Sequence, residues 1–214
     1  MATRFLRLTA ALVLVPGLTA CGGADPSTDA SPAAAPSADV SSASPSADAS
    51  SSKPPSGAAS SSAAGERLTG EGYSFALPDG WRDATDQFQE YSELIDTGAV
   101  NGDQAGQAFS DNVNVLRNAD QSELPPAQAE HQFVEELGTV AKRVEVQPSA
   151  RVDGVDALHL TGRTVAGKVT ALTDQYIAYV DDAYFVVTFS YDSRTPRRER
   201  QDEVGSMLSS WAWD

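Results

Sequence analysis

Cysteine is almost missing from this sequence. Cys21 is the only one in 214 residues, so no intramolecular disulfide can form and any folded part must rest on a packed core. Histidine is nearly as scarce. Neither His131 nor His159 has a second histidine or a cysteine at ligand spacing, so the chain offers no ordinary transition-metal site and no cofactor is assigned. There is no G-x-x-x-x-G-K-[ST] string and no dinucleotide fingerprint, which removes the usual sequence grounds for nucleotide binding. The G-x-S-x-G elbow of many hydrolases is also missing, and Gly205-Ser206 falls inside an amphipathic stretch instead. The segment Asp96 to Asp103 has oxygen-bearing side chains and glycines but breaks the EF-hand pattern, with Gln107 where a bidentate glutamate belongs.

Positive charge is the next shortage. The formal net charge is −15, and from Glu66 onward twelve Lys and Arg stand against 26 Asp and Glu. Nucleic acids are bound chiefly through clustered cations, so a surface of this sign excludes them as partners. The densest basic cluster, Arg194, Arg197, Arg198 and Arg200, is interrupted by Glu199 and followed by Asp202 and Glu203. It reads as the solvated start of a helix. The acidic pairs Glu135-Glu136, Asp181-Asp182 and Asp202-Glu203 fall on helices or a turn and read as faces turned to water.

Long apolar runs are absent apart from one near the start. Arg4 and Arg7 precede an apolar stretch from Leu8 to Leu18 of about eleven residues, whereas a helix needs roughly 20 to cross the hydrocarbon core. Basic start, short apolar core and small residues before a cleavage point are the parts of an export signal, assigned to residues 1–20. Leu18, Thr19, Ala20 and Cys21 together resemble the bacterial lipobox. At that position the cysteine thiolate is alkylated by a diacylglycerol, and cleavage frees an amine that can be acylated in turn. Two or three acyl chains anchor stably where one does not. The sequence thus predicts lipidation at Cys21 and attachment to the extracytoplasmic face of the cytoplasmic membrane.

Residues 21–65 follow as a Ser/Ala/Pro-rich tether. From Ala24 to Ala64 roughly four residues in five are Ser, Ala or Pro, and Val40 is the only large aliphatic. Such a composition cannot bury enough apolar surface to offset chain entropy, so disorder is predicted, with an r.m.s. span of about 35 to 40 Å. From Glu66 the composition becomes mixed and aromatic, and residues 66–214 are assigned to one globular domain.

Within that domain Tyr73, Phe75 and Leu77 alternate with Ser74 and Ala76 up to the turn Pro78-Asp79-Gly80, which gives a strand followed by Trp81 as a core residue. Asp86 to Ile95 is open between helix and loop, and Thr97 to Gly106, rich in Gly, Asn and Asp, reads as a surface loop. Asn112 to Leu116 alternates as a half-buried strand. Pro125 to Lys142 reads as a helix with Ala129, Phe133, Leu137 and Val140 on one face and His131 on the solvated side. Strands follow at Arg143 to Gln147, Val155 to Thr164, Lys168 to Val180 and Ala183 to Tyr191, a hairpin-linked meander. His159 reads as a satisfied sheet histidine. The last strand is apolar on both faces, so helices must cover both. Pro196 to Ser210 supplies one cover, with Val204, Met207, Leu208 and Trp211 in helical register. The predicted fold class is α+β, an α/β/α sandwich around a mostly antiparallel sheet.

The string Gly72-Tyr73-Ser74-Phe75-Ala76-Leu77-Pro78-Asp79-Gly80-Trp81, the segment Asn112-Val113-Asn114-Val115, the hairpin Gln175 to Ser190 and the closing Ser210-Trp211-Ala212-Trp213 resemble actinobacterial lipoproteins of the LpqN/LpqT type, in the PsbP-like (Mog1p-like) superfamily. The resemblance covers about Gly70 to Asp214. It implies the same α/β/α sandwich and a non-enzymatic accessory or interaction module, but carries no functional motif, and a shared fold does not transmit function. The predicted role is binding of an envelope protein or wall component. The alternative is a pocket for a lipid or small amphiphile lined by aromatics, with Tyr176, Tyr179, Tyr184 and Trp213 as candidates. A hydrolase acting through His131 or His159 is the remaining class.

Overall fold

The computed structural model describes residues 65–214. In chain order its strands are β1 (Arg67–Gly70), β2 (Tyr73–Ala76), β3 (Trp81–Asp83), β4 (Ile95–Asn101), β5 (Asn112–Asn118), β6 (Lys142–Val152), β7 (Val155–Ala166), β8 (Val169–Val180), β9 (Ala183–Asp192) and β10 (Ala212–Trp213). The helices are α1 (Thr85–Gln89), α2 (Pro126–Gly138) and α3 (Arg197–Ser209). Seven strands form one sheet in the order β3-β4-β5-β9-β8-β7-β6, and every neighbouring pair is antiparallel. A small second sheet, β1-β2-β10, brings the two ends of the described chain together.

Period-two alternation decides which helix each side chain meets. On β9, Phe185, Val187, Phe189 and Tyr191 pack into the core beneath α3, where Val204, Met207 and Trp211 join them. Tyr184 and Val186 point the other way, toward Phe133 and Leu137 of α2. All ten residues of β9 are buried, because the strand is central in the sheet and covered on both faces. The second sheet seals the α3 side. The Trp211 ring lies parallel to Tyr73 and to Phe75, 4.8 Å from each centroid. Such stacked pairs contribute about 0.5 to 1.5 kcal/mol beyond the area they bury.

Several sequence expectations are corrected. Thr97 to Gly106 is a surface loop only in its second half: Thr97 to Asn101 belong to β4, and Thr97 to Val100 are buried between β3 and β5. Gly98 there lets the Phe88 ring of α1 lie directly on the backbone, since any Cβ would occupy the space of that ring. Pairing on both sides overrides the loop-like composition. The open stretch Asp86 to Ile95 divides into α1, a turn and the first residue of β4. Asn112 to Leu116 is wholly buried rather than half-buried, because β5 lies inside the sheet and its asparagine face is covered too. The helix predicted to reach Lys142 stops at Gly138. Val140 is therefore 36% exposed, and Ala141 packs in its place. The strand read as Arg143 to Gln147 runs on to Val152 through two irregularities, one of them spanning Pro148, which an edge strand tolerates. The hairpin turn after it holds Asp153 and Gly154 at positive φ, 44° and 81°.

Candidate binding cleft

Where α3 leaves the sheet uncovered, over the outer strands β6, β7 and β8, a cleft of about 590 Å³ opens. Its floor follows from strand register. His159 of β7 lies beside Tyr176 of β8 and Gln147 of β6, Thr161 beside Asp174 and Glu145, and Arg163 beside Leu172. Its other wall is the stripe of α3 at Arg197, Arg200, Gln201, Val204 and Leu208. β9 ends at Asp192, paired with Ala171, and α3 starts five residues later, so the arginine end of the helix begins near the Leu172 and Arg163 end of the floor. Arg197 and Leu208 are separated by about 16 Å along the axis at 1.5 Å per residue. The cleft is therefore graded, with arginines at one end and Tyr176, Val204 and Leu208 toward the other.

On the floor the His159 and Tyr176 rings stack at 4.3 Å, 12° from parallel, and His159 Nε2 lies 3.1 Å from Asp174 Oδ1. The imidazole is thus held on one face by an aromatic ring and at one nitrogen by a carboxylate, as a satisfied sheet histidine is. Burial pushes the Tyr176 hydroxyl well above its ordinary range, and the Asp174 charge pushes it further the same way. That ring forms part of the cleft floor. Arg143, Arg163, Arg197 and Arg200 also line the cleft, and among the described residues none of the four is in an ion pair. Arg200 Nε donates to the Thr195 carbonyl at 3.2 Å, which fixes its stem. Of the two carboxylates in the lining, Asp174 is engaged by His159, and Glu145 is exposed.

The start of β5, the end of β9 and the start of α3 are tied together by Asp111, which is fully buried. Its Oδ1 accepts from the Asp192 amide at 2.6 Å, and its Oδ2 accepts from Thr195 Oγ1 and Gln104 Nε2, each at 2.8 Å. Asp192 in turn is held below its ordinary carboxylate range by hydrogen bonds from Arg194. The peptide that launches α3, and with it Arg197 and Arg200, is therefore positioned by a buried carboxylate.

The four aromatics proposed as a pocket do not line one cavity. Tyr176 lies in the cleft. Tyr179 and Tyr184 stand on the opposite face of the sheet, 5.0 Å apart, with Tyr184 against Phe133. Their hydroxyls are occupied, Tyr184 accepting from the Leu124 amide at 2.6 Å and Tyr179 donating to the Gln121 carbonyl at 2.9 Å. Trp213 packs on Phe185 and Trp211 and donates from Nε1 to the Val152 carbonyl at 2.9 Å. His131 is exposed on α2, 3.5 Å from Glu135. Leu18, Thr19, Ala20 and Cys21, with the export signal and the tether, lie outside the described residues. Among the described residues no group of His, Cys, Asp and Glu could hold a metal ion, and no helix is long and apolar enough to cross a membrane.

No family model matches the chain, and no curated protein matches it. Among solved structures a Mog1 point variant superposes with a TM-score of 0.50 at 14% identity, over 69% of this chain and 95% of that protein. The fold is Mog1-like. LpqN of Mycobacterium tuberculosis, described as involved in cell envelope biogenesis, is 16% identical over 70% of this chain and 84% of its own, with a TM-score of 0.48. A protein from Bacteroides thetaiotaomicron is 12% identical over 70% of this chain, with a TM-score of 0.47, and this chain spans about half of it, 48%. At these identities the likeness is one of fold, and the chemistry of the cleft lies in its own side chains.

Sequence reasoning missed the arginines of the cleft. Arg197 and Arg200 read as a solvated helix start, Arg143 only as the first residue of a strand, and Arg163 carried no reading of its own. The available signal was distribution: four of the twelve Lys and Arg from Glu66 onward converge on one cleft of an acidic chain.

Proposed function

We propose that this protein is a non-enzymatic binding module of the LpqN/LpqT type, tethered through a lipidated Cys21 to the outer side of the cytoplasmic membrane, which engages an envelope component through the cleft beneath α3. The observation that carries the binding role is the cleft itself: a concave surface with a stacked His159/Tyr176 floor and four arginines that make no ion pair among the described residues. Binding is favoured over catalysis because no cysteine or serine stands in the lining as a nucleophile. Location rests on the sequence, where the lipobox-like Leu18-Thr19-Ala20-Cys21 closes an export signal and a long Ser/Ala/Pro stretch separates it from the domain.

Two measurements test the halves separately. Labelled fatty acid should enter the native chain and fail to enter Cys21→Ser, which should be released or left unprocessed. Labelling of the variant, or none of the native chain, removes the anchor. Crosslinking in intact cells, with the domain on its own tether, should trap a discrete envelope component. Nothing reproducible above an unrelated lipoprotein control removes the binding role.

A further inference from the structure

We infer that the arginine end of this cleft is a binding site for a multiply charged oxyanion, specifically a phosphate-bearing group, with the less polar end receiving the rest of the ligand. The inference rests on the proposed binding role of the cleft and names its ligand class. Arg143 and Arg163 come from the sheet, Arg197 and Arg200 from the first turn of α3, so the guanidinium groups approach from two walls. None of the four is neutralised by an ion pair among the described residues, although carboxylates outnumber cations on this chain by two to one, 30 against 15. Of the six arginines elsewhere on the domain, four find acids, Arg117 with Glu71, Arg151 with Asp156, Arg194 with Asp192 and Arg198 with Asp202, while Arg67 and Arg82 do not.

Charge geometry selects the anion. A carboxylate presents two oxygens and is satisfied by one guanidinium fork, whereas a phosphate group presents more acceptor oxygens and can be gripped by forks from two directions. The N-terminal end of α3, a helix of thirteen residues, adds its partial positive charge at the same place. Against these four cations the lining sets two carboxylates, Asp174, hydrogen-bonded to His159, and the exposed Glu145, so the cleft keeps an excess of positive charge. From the arginines the floor runs past His159 and Tyr176 toward Val204 and Leu208, which suits a ring or an apolar portion of the same ligand.

The test uses the full chain in phosphatidylcholine nanodiscs, dialysed to equilibrium against radiolabelled pyrophosphate. Saturable binding at one site is expected. The double substitution Arg163→Ser with Arg197→Ser should weaken it about tenfold or more, while Arg198→Ser, one residue along α3 but already paired with Asp202, should leave it within about twofold. Both changes fall at exposed positions and should leave the urea midpoint in place. Nanodiscs containing phosphatidylglycerol distinguish the source: competition by the disc identifies a lipid headgroup, and its absence identifies a soluble or wall-borne phosphate. No saturable binding, or equal binding by the double variant, overturns the oxyanion site. A crosslinked partner that persists under that result would leave the binding module standing without it.

Discussion

The indole Nε1 of Trp81 donates to Oε1 of Glu203 at 3.1 Å, joining β3 to α3 across 122 residues of chain. Burial pushes the Glu203 carboxyl above its ordinary range, the Trp81 hydrogen bond opposes that, and the charges of Asp111 and Glu199 raise it further. An acid whose folded pKa is raised favours folding below the ordinary carboxylate range and loses that contribution as pH rises through the folded value. Urea unfolding of Glu203→Gln, which keeps an acceptor for Trp81, should therefore match the native chain near pH 4 and exceed it at pH 8. A variant less stable than the native chain at pH 8 would show that the carboxylate itself is needed under α3.

Glu136 on α2 behaves in the same sense and gives a number to check. Burial raises its carboxyl to about 7, against the lowering effect of the Gln132 amide, whose Nε2 donates to Oε1 at 3.0 Å. A carboxyl carbon titrating near neutrality by NMR is expected, moving higher still in Gln132→Ala. A midpoint in the ordinary glutamate range would mean that this face of α2 is wetter than its packing indicates.

Asp111→Ala should cost about 2 to 4 kcal/mol by urea unfolding, because it strands the Asp192 amide, the Thr195 hydroxyl and the Gln104 amide in a buried place. Asp111→Asn keeps the Oδ1 acceptor and should cost less. A loss under about 1 kcal/mol in the alanine variant would contradict the role of Asp111 in holding the start of α3.

Gly98→Ala places a methyl group where the Phe88 ring lies, and the neighbour is a buried ring that cannot swing into solvent. About 1 to 3 kcal/mol of destabilisation is expected. Partial recovery in the double variant with Phe88→Leu would locate the clash at that ring, and additive losses would place it elsewhere.

The meander and both long helices were legible in the sequence, because alternation in β7 to β9 and the Val204, Met207, Leu208, Trp211 stripe are direct consequences of two-sided and one-sided burial. β4 was not, since Gly98 and Ala99 look like loop residues unless Phe88 is known to lie on them. The cleft was less legible still. Arg143 and Arg163 come to one cleft only through β6–β7 pairing, and a register shift between Lys142 and Glu145, with Arg143 at a φ of 53°, breaks the period-two count that would have shown which face Arg143 serves. Arg197 and Arg200 reach the same place only after the chain returns through β8 and β9. Tyr179 and Tyr184 looked like Tyr176 in composition, but parity sends Tyr184 to the α2 face and their hydroxyls to backbone partners.

The central claim is that the cleft beneath α3 is the working surface of the protein. A photo-crosslinking side chain at Gln201, in the cleft wall, should yield a discrete adduct in living cells, while the same group at Glu130 on the exposed side of α2 should not. No adduct from Gln201, or the same adducts from both positions, would contradict it.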